Sequence, residues 1–162
     1  MRDEREPGST VCLKKPQVGE GILMAFDYGE RRVGIATGSV AIGIAHPLVT
    51  VSYKSKEVLF QEIGRYVSEW EPCGFVVGMP THADDSIHSM AKKINRFCGE
   101  LRSRYKLDTY LVNESYTSAE AETAVSNLNI GWKERKLLID MHAAQILLTD
   151  FFIQNPRLDN ES

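Results

Sequence analysis

The chain lacks a cysteine framework, a basic excess, low-complexity tracts and a long apolar run, and each absence removes a class of function. Its three cysteines, Cys12, Cys73 and Cys98, form no Cys-x-x-Cys pair and leave one over. That argues against a disulfide scaffold and for a reducing compartment, with Cys73 and Cys98 expected as core filler. A net charge of −3 over 162 residues offers nucleic acid no global attraction, so any such contact must rest on a local basic patch. No apolar run approaches the length of a membrane span, and the charged N-terminus lacks the apolar centre of a secretion signal. The expectation is a cytoplasmic protein without a membrane partner.

What is present is enough for one well-filled core: 43% hydrophobic and 25% charged residues, ordinary for a single soluble domain. Residues 1–20 mix Arg, Asp, Glu, Pro, Gly and Ser without periodicity and read as a flexible extension. Residues 21–154 form the expected domain, and 155–162 a short tail. Within the domain, Ile22–Tyr28 and Val33–Thr37 read as two arms of a hairpin, with a third strand near Ile42–Val51. Pro47 in that third strand predicts an edge position or a bulge.

Lys56–Trp70 has apolar residues at helical spacing, closed by Glu71-Pro72, and Phe75–Pro80 reads as a buried strand parallel to its neighbour. A second helix starts near Asp84-Asp85-Ser86 and carries Lys92, Lys93 and Arg96 away from its apolar stripe. A fifth strand, Thr109–Asn113, ends at Glu114, and Thr117-Ser118-Ala119-Glu120 has the spacing of a capping box for a third helix running to about Leu128. The final helix, Leu137–Phe152, is apolar nearly all round and so expected to be buried, with Asp140 near its start. The plan is α/β: a five-stranded mixed sheet with three antiparallel strands first and helices on both faces.

Three acids stand where this pattern predicts burial or a strand end: Asp27 in the first strand, Glu114 after the fifth, and Asp140 on the last helix. An ionised Asp inside an apolar strand is costly unless paired, hydrogen-bonded or bound to a metal. Each acid has a plainer reading: a turn cap for Asp27, a solvated loop acid for Glu114, a helix cap for Asp140. Their coincidence favours convergence. Clustered carboxylates repel unless cations lie between them, and Mg²⁺ or Mn²⁺ with oxygen ligands resolves the repulsion. Such ions stabilise the attacking and leaving oxygens of a phosphodiester displacement. Basic residues flank two of the acids: Arg31 and Arg32 beside Asp27, and Lys133, Arg135 and Lys136 before Asp140. These are the candidate substrate-binding side chains. His46, His82, His88 and His142 are left outside the site; His142 points about 200° from Asp140 on a continuous helix.

The blocks Ala25–Ala36, Val76–Pro80, Asn113–Ser118 and Ile139–Ala144, in that order and spacing, resemble the YqgF family, also called RuvX, over roughly residues 22–153. The resemblance implies an RNase H-like fold, with Asp27, Glu114 and Asp140 as catalytic metal-binding acids. It also implies pre-16S rRNA as the substrate of a nuclease. Two departures stand out. Where the family has Asp-Glu-Arg followed by an aliphatic residue, this chain has Asn113-Glu114-Ser115-Tyr116, and the family's Asn-Met-Asp-Gly is here Thr81-His82-Ala83-Asp84-Asp85.

The expected function is therefore metal-dependent hydrolysis of structured RNA at the 5′ end of pre-16S rRNA, with ribosomal particles as possible partners, by a monomer or weak homodimer. Two alternatives remain open: a resolvase of branched DNA (Holliday junctions), or a non-catalytic RNA- or ribosome-associated module. An actin-like ATPase would need two such lobes to enclose a nucleotide, and the chain has length for one.

Overall fold

The computed structural model describes residues 21–80, 85–114 and 130–155 and, within them, all side chains but those of 85–88 and 114. The capping-box helix at 117–128, Ser115, the loop at 81–84 and both terminal extensions lie outside the described residues. In chain order the elements are β1 (Ile22–Tyr28), β2 (Arg32–Ser39), β3 (Ile44–Ser52), α1 (Lys56–Trp70), β4 (Gly74–Pro80), α2 (Asp85–Tyr105), β5 (Asp108–Glu114) and α3 (Trp132–Gln154).

The sheet order is β3-β2-β1-β4-β5. β1 to β3 form an antiparallel meander, and β4 and β5 run parallel to β1. Each parallel strand is reached through a helix, the crossover such pairing requires. Pro47 behaves as its chemistry dictates on both counts. β3 is an edge strand, and its register slips so that Ile35 faces Val49 while Ala36 faces Pro47. α1 begins where Ser55 accepts the Val58 amide at 3.3 Å and ends where Glu71 turns left-handed with φ 47° before Pro72.

The two faces of the sheet are filled differently. On the α1 and α2 side, Phe26, Phe60, Phe75, Phe97 and Leu101 form the larger cluster, with Phe26 5.5 Å from the rings of both Phe75 and Phe97. On the α3 side, Leu23, Ala25, Ala36, Val76, Tyr110 and Val112 meet Ala144, Leu147, Leu148 and Phe151.

Three expectations need correction. Cys73 is exposed, and only Cys98 is buried, because Cys73 sits in the short turn before β4 rather than inside it. α3 starts at Trp132, five residues earlier than its apolar run, and buries one stripe rather than its circumference. Ala143, Ala144, Leu147, Leu148 and Phe151 are buried, whereas Ile153 is 70% exposed. By length and composition alone α3 could cross a membrane, against the expectation that no run approaches that size; its buried stripe rests on the sheet.

Candidate active site

Asp27 is placed by strand alternation. Leu23 and Ala25 pack on the α3 side of β1, Met24 and Phe26 on the opposite side, so position 27 falls on the α3 side near the strand's C-terminal end. Its cross-strand partner is Gly34. On β2 the α3-side row reads Gly34, Ala36, Gly38, a strip with almost no side-chain volume. A Cβ at Gly34 would lie 2.0 Å from the carbonyl oxygen of Asp140, and one at Gly38 would lie 2.8 Å from Phe152 Cε2. Glycine at 34 therefore lets the α3 backbone rest directly on β2, opposite Asp27. Asp140 also precedes the buried stripe at helical spacing, which turns it toward the sheet.

Other bonds hold α3 across the antiparallel strands. Thr50 Oγ1 donates to the Leu137 carbonyl at 2.5 Å, and Gln145 Nε2 donates to the Ala45 carbonyl at 3.0 Å. Asp140 Oδ2 accepts from Arg32 Nε at 2.5 Å, with side-chain exposures of 17% and 35%. A half-shielded, charge-assisted bond of this kind is stronger than a surface ion pair. The β1–β2 turn is itself braced. Tyr53 donates its hydroxyl to the Gly29 carbonyl at 2.6 Å and its amide to the Arg31 carbonyl at 3.0 Å. Burial first, then the neighbouring Tyr28 hydroxyl, push the Tyr53 phenol well above its ordinary range, so it stays a donor at neutral pH. Lys93 of α2 pairs with Glu30 at the turn tip.

The result is a cleft of about 290 Å³ lined by Asp27, Tyr28, Gly29, Glu30, Arg31, Arg32 and Asp140. Beside it, a second cavity of about 270 Å³ is lined by Arg32, Ser52, Trp132, Lys133, Lys136 and Leu137. Asp27, Asp140, Arg31 and Arg32 thus share one cleft, and Lys133 and Lys136 share the next. Arg135 is half-buried and lines neither of these two cavities. Glu114 ends β5, in register with Pro80, at the same C-terminal edge of the sheet. Among the described residues no third His, Cys, Asp or Glu joins the two aspartates in a metal-holding group. His142 lies on the continuous helix with Nδ1 3.1 Å from Gln145 Oε1.

Sequence reasoning missed three groups. Gly34 was legible as a glycine inside a strand, a mark of close backbone approach. Tyr53 and the Arg32–Asp140 bond carry no local signal, because each joins residues far apart in the chain.

Curated relatives bear the name "Putative pre-16S rRNA nuclease". The protein of that name from Nitrosospira multiformis is 40% identical over 141 residues, 87% of this chain and 93% of the relative. That from Neisseria meningitidis serogroup C is 39% identical, covering 86% and 93%. Among solved structures, Thermus thermophilus RuvC in complex with Holliday junction substrate superposes with a TM-score of 0.52 at 15% identity, over 83% of this chain and 95% of that one. The fowlpox virus Holliday junction resolvase gives 0.51 at 14%, over 82% and 98%. These two likenesses establish the RNase H-like fold. The family described as "RuvX: Holliday junction resolvase" matches residues 21–154, and with relatives at this identity over nearly their whole length, the chain belongs to the RuvX (YqgF) family.

Proposed function

We propose that the chain is a divalent-metal-dependent nuclease of structured RNA that trims the 5′ end of pre-16S rRNA. The observation that carries this reading is the convergence of Asp27 and Asp140 with Arg31 and Arg32 in one cleft. It is supported by the names of relatives that share about 40% of their residues with the chain. Hard carboxylate oxygens suit Mg²⁺ or Mn²⁺, so Asp27 and Asp140 fit the group, with Glu114 the third ligand. Glu114 ends β5, paired with Pro80 at the edge of the sheet where Asp27 also lies. Bound there, the ion supplies charge stabilisation at the phosphorus centre.

The chain's own residues do the rest. Arg31, exposed in the turn, and Arg32 bind the scissile phosphate through guanidinium forks. Arg32 is bonded to Asp140, which holds its guanidinium beside the proposed ligands, where a phosphate would sit. Lys133 and Lys136 continue the basic track into the neighbouring cavity, and Arg135, which lines neither cavity, stands between them in sequence. The setting is cytoplasmic, on ribosomal particles.

Single-turnover cleavage of precursor 16S rRNA with Mg²⁺, comparing the native chain with Asp27→Asn, tests the assignment. The substitution keeps volume and removes charge, and a rate loss of at least ~10³-fold is expected, of the order seen when a transition-state-stabilising group is removed. Equal rates would overturn the assignment. The family description also favours a second substrate, the four-way DNA junction. Binding that prefers a junction over both linear duplex and precursor rRNA would select it.

A further inference from the structure

Beside the acidic cleft lies a feature the nuclease reading leaves unused. Trp132, on the first turn of α3, is 64% exposed, an unusual place for the most costly apolar side chain to leave in water. It is not floating. Lys136 Nζ sits over the indole, 4.2 Å from the ring centroid, a contact that braces the ring while most of the side chain stays exposed. The ring and Lys136 line the 270 Å³ cavity together with Lys133 and Arg32. Arg32 belongs to this cavity and to the acidic cleft alike, so the two adjoin at that side chain. Lys133 and Lys136 beside an exposed indole, with Arg32 at the boundary toward Asp140, complement a strand of phosphates carrying bases, in a chain whose overall charge is negative.

We propose that this cavity is a subsite for single-stranded RNA flanking the scissile phosphate, with one unpaired base stacked on the exposed indole of Trp132. Lys133 and Arg32 then face the adjoining phosphates, and Lys136 backs the ring. Eight residues of helix separate Trp132 from Asp140, about 12 Å along the axis. That corresponds to about three or four nucleotides of a stacked strand at ~3.4 Å each. A duplex cannot present a base face to the indole, so the subsite selects a single-stranded flank. This inference rests on the nuclease reading for its direction but not for its measurement.

The test uses the full chain carrying Trp70→Phe, which leaves Trp132 as the only tryptophan. Binding is measured in EDTA, where turnover is halted. Titration with a single-stranded oligoribonucleotide is expected to quench Trp132 fluorescence and shield it from acrylamide; the same sequence as a duplex is expected to leave the ring accessible. Trp132→Ala should weaken single-strand binding roughly tenfold, the loss of one stacked base, while changing duplex binding less than twofold. Trp132→Phe should restore most of the affinity. Unchanged single-strand affinity in Trp132→Ala, or equal losses for single strand and duplex, would overturn the subsite. So would sedimentation showing that Trp132→Ala only dissociates a dimer, which would assign the ring to a protein contact. Quenching by a single strand without any Mg²⁺-dependent cleavage would retain the subsite and reject the nuclease. Cleavage unaffected by Trp132→Ala, with no quenching, would do the reverse.

Discussion

The two faces of the sheet differ most where helices meet β1 and β2. The face under α1 and α2 is aromatic: Phe26, Phe60, Phe75 and Phe97 interlock, with Tyr28 stacked 4.7 Å from Phe97. The face under α3 also carries bulk, from Tyr110, Leu147, Leu148 and Phe151, but over β1 and β2 it has Ala25, Gly34, Ala36 and Gly38 on the strands and Ala143 and Ala144 on the helix. Bulk on the first face holds helices at side-chain distance and supplies most of the apolar burial. Small residues on the second bring a helix backbone onto a strand backbone. Only that close approach can set a helical carboxylate, Asp140, beside a strand carboxylate, Asp27. One face is for stability and the other for the site, and substitutions should separate them.

The largest expected effect on stability is on the aromatic face. Phe75→Ala, at a fully buried ring, should cost about 3–5 kcal/mol in urea unfolding, with the folded fraction cleaving at nearly the native rate. A cleavage loss beyond the folded fraction would mean that the two faces are coupled. Gly34→Ala should cost less stability, about 1–3 kcal/mol from overpacking, and more activity. Its Cβ must push the Asp140 backbone away, so per folded molecule cleavage should fall at least tenfold. Gly38→Ala, which crowds Phe152 and the Ile44 carbonyl instead, is the control. Similar destabilisation with cleavage retained would confine the effect to the site, whereas equal losses in the two variants would break the comparison.

The smallest effect is a readout rather than a perturbation. Burial pushes the Cys98 thiol up to about 12, with Arg102 pulling weakly the other way. The thiolate is the reactive form, so at pH 8 iodoacetamide should modify exposed Cys73 and spare Cys98 until the chain unfolds. Raising the pH to 10 should speed Cys73 further and leave Cys98 unreacted. In Gly34→Ala, Cys98 should stay protected, because its face is intact; mass mapping of the two peptides checks both outcomes.

Much of the fold was readable in the chain itself. The meander, the two crossovers and the edge position of β3 follow from apolar periodicity, one proline and connection length. The oddity of Asp27 among apolar residues marked the end of β1 that lines the cleft. What could not be read was distance. α3 starts five residues before its apolar run, because Lys133, Glu134 and Lys136 are good helix formers without being buried. The bond from Arg32 to Asp140 spans 108 residues, and no local pattern encodes it. The exposed indole of Trp132 was likewise invisible, since a tryptophan beside a helix start reads equally as core.

The central claim is that the small-residue face exists to let Asp27 and Asp140 share a divalent ion. A crystal soaked in Mn²⁺ and measured at the manganese edge tests it directly. The account predicts anomalous density between the two carboxylates, with Arg32 Nε withdrawn from Asp140 Oδ2. Manganese bound elsewhere, or an undisturbed Arg32–Asp140 bond at saturating metal, would contradict it.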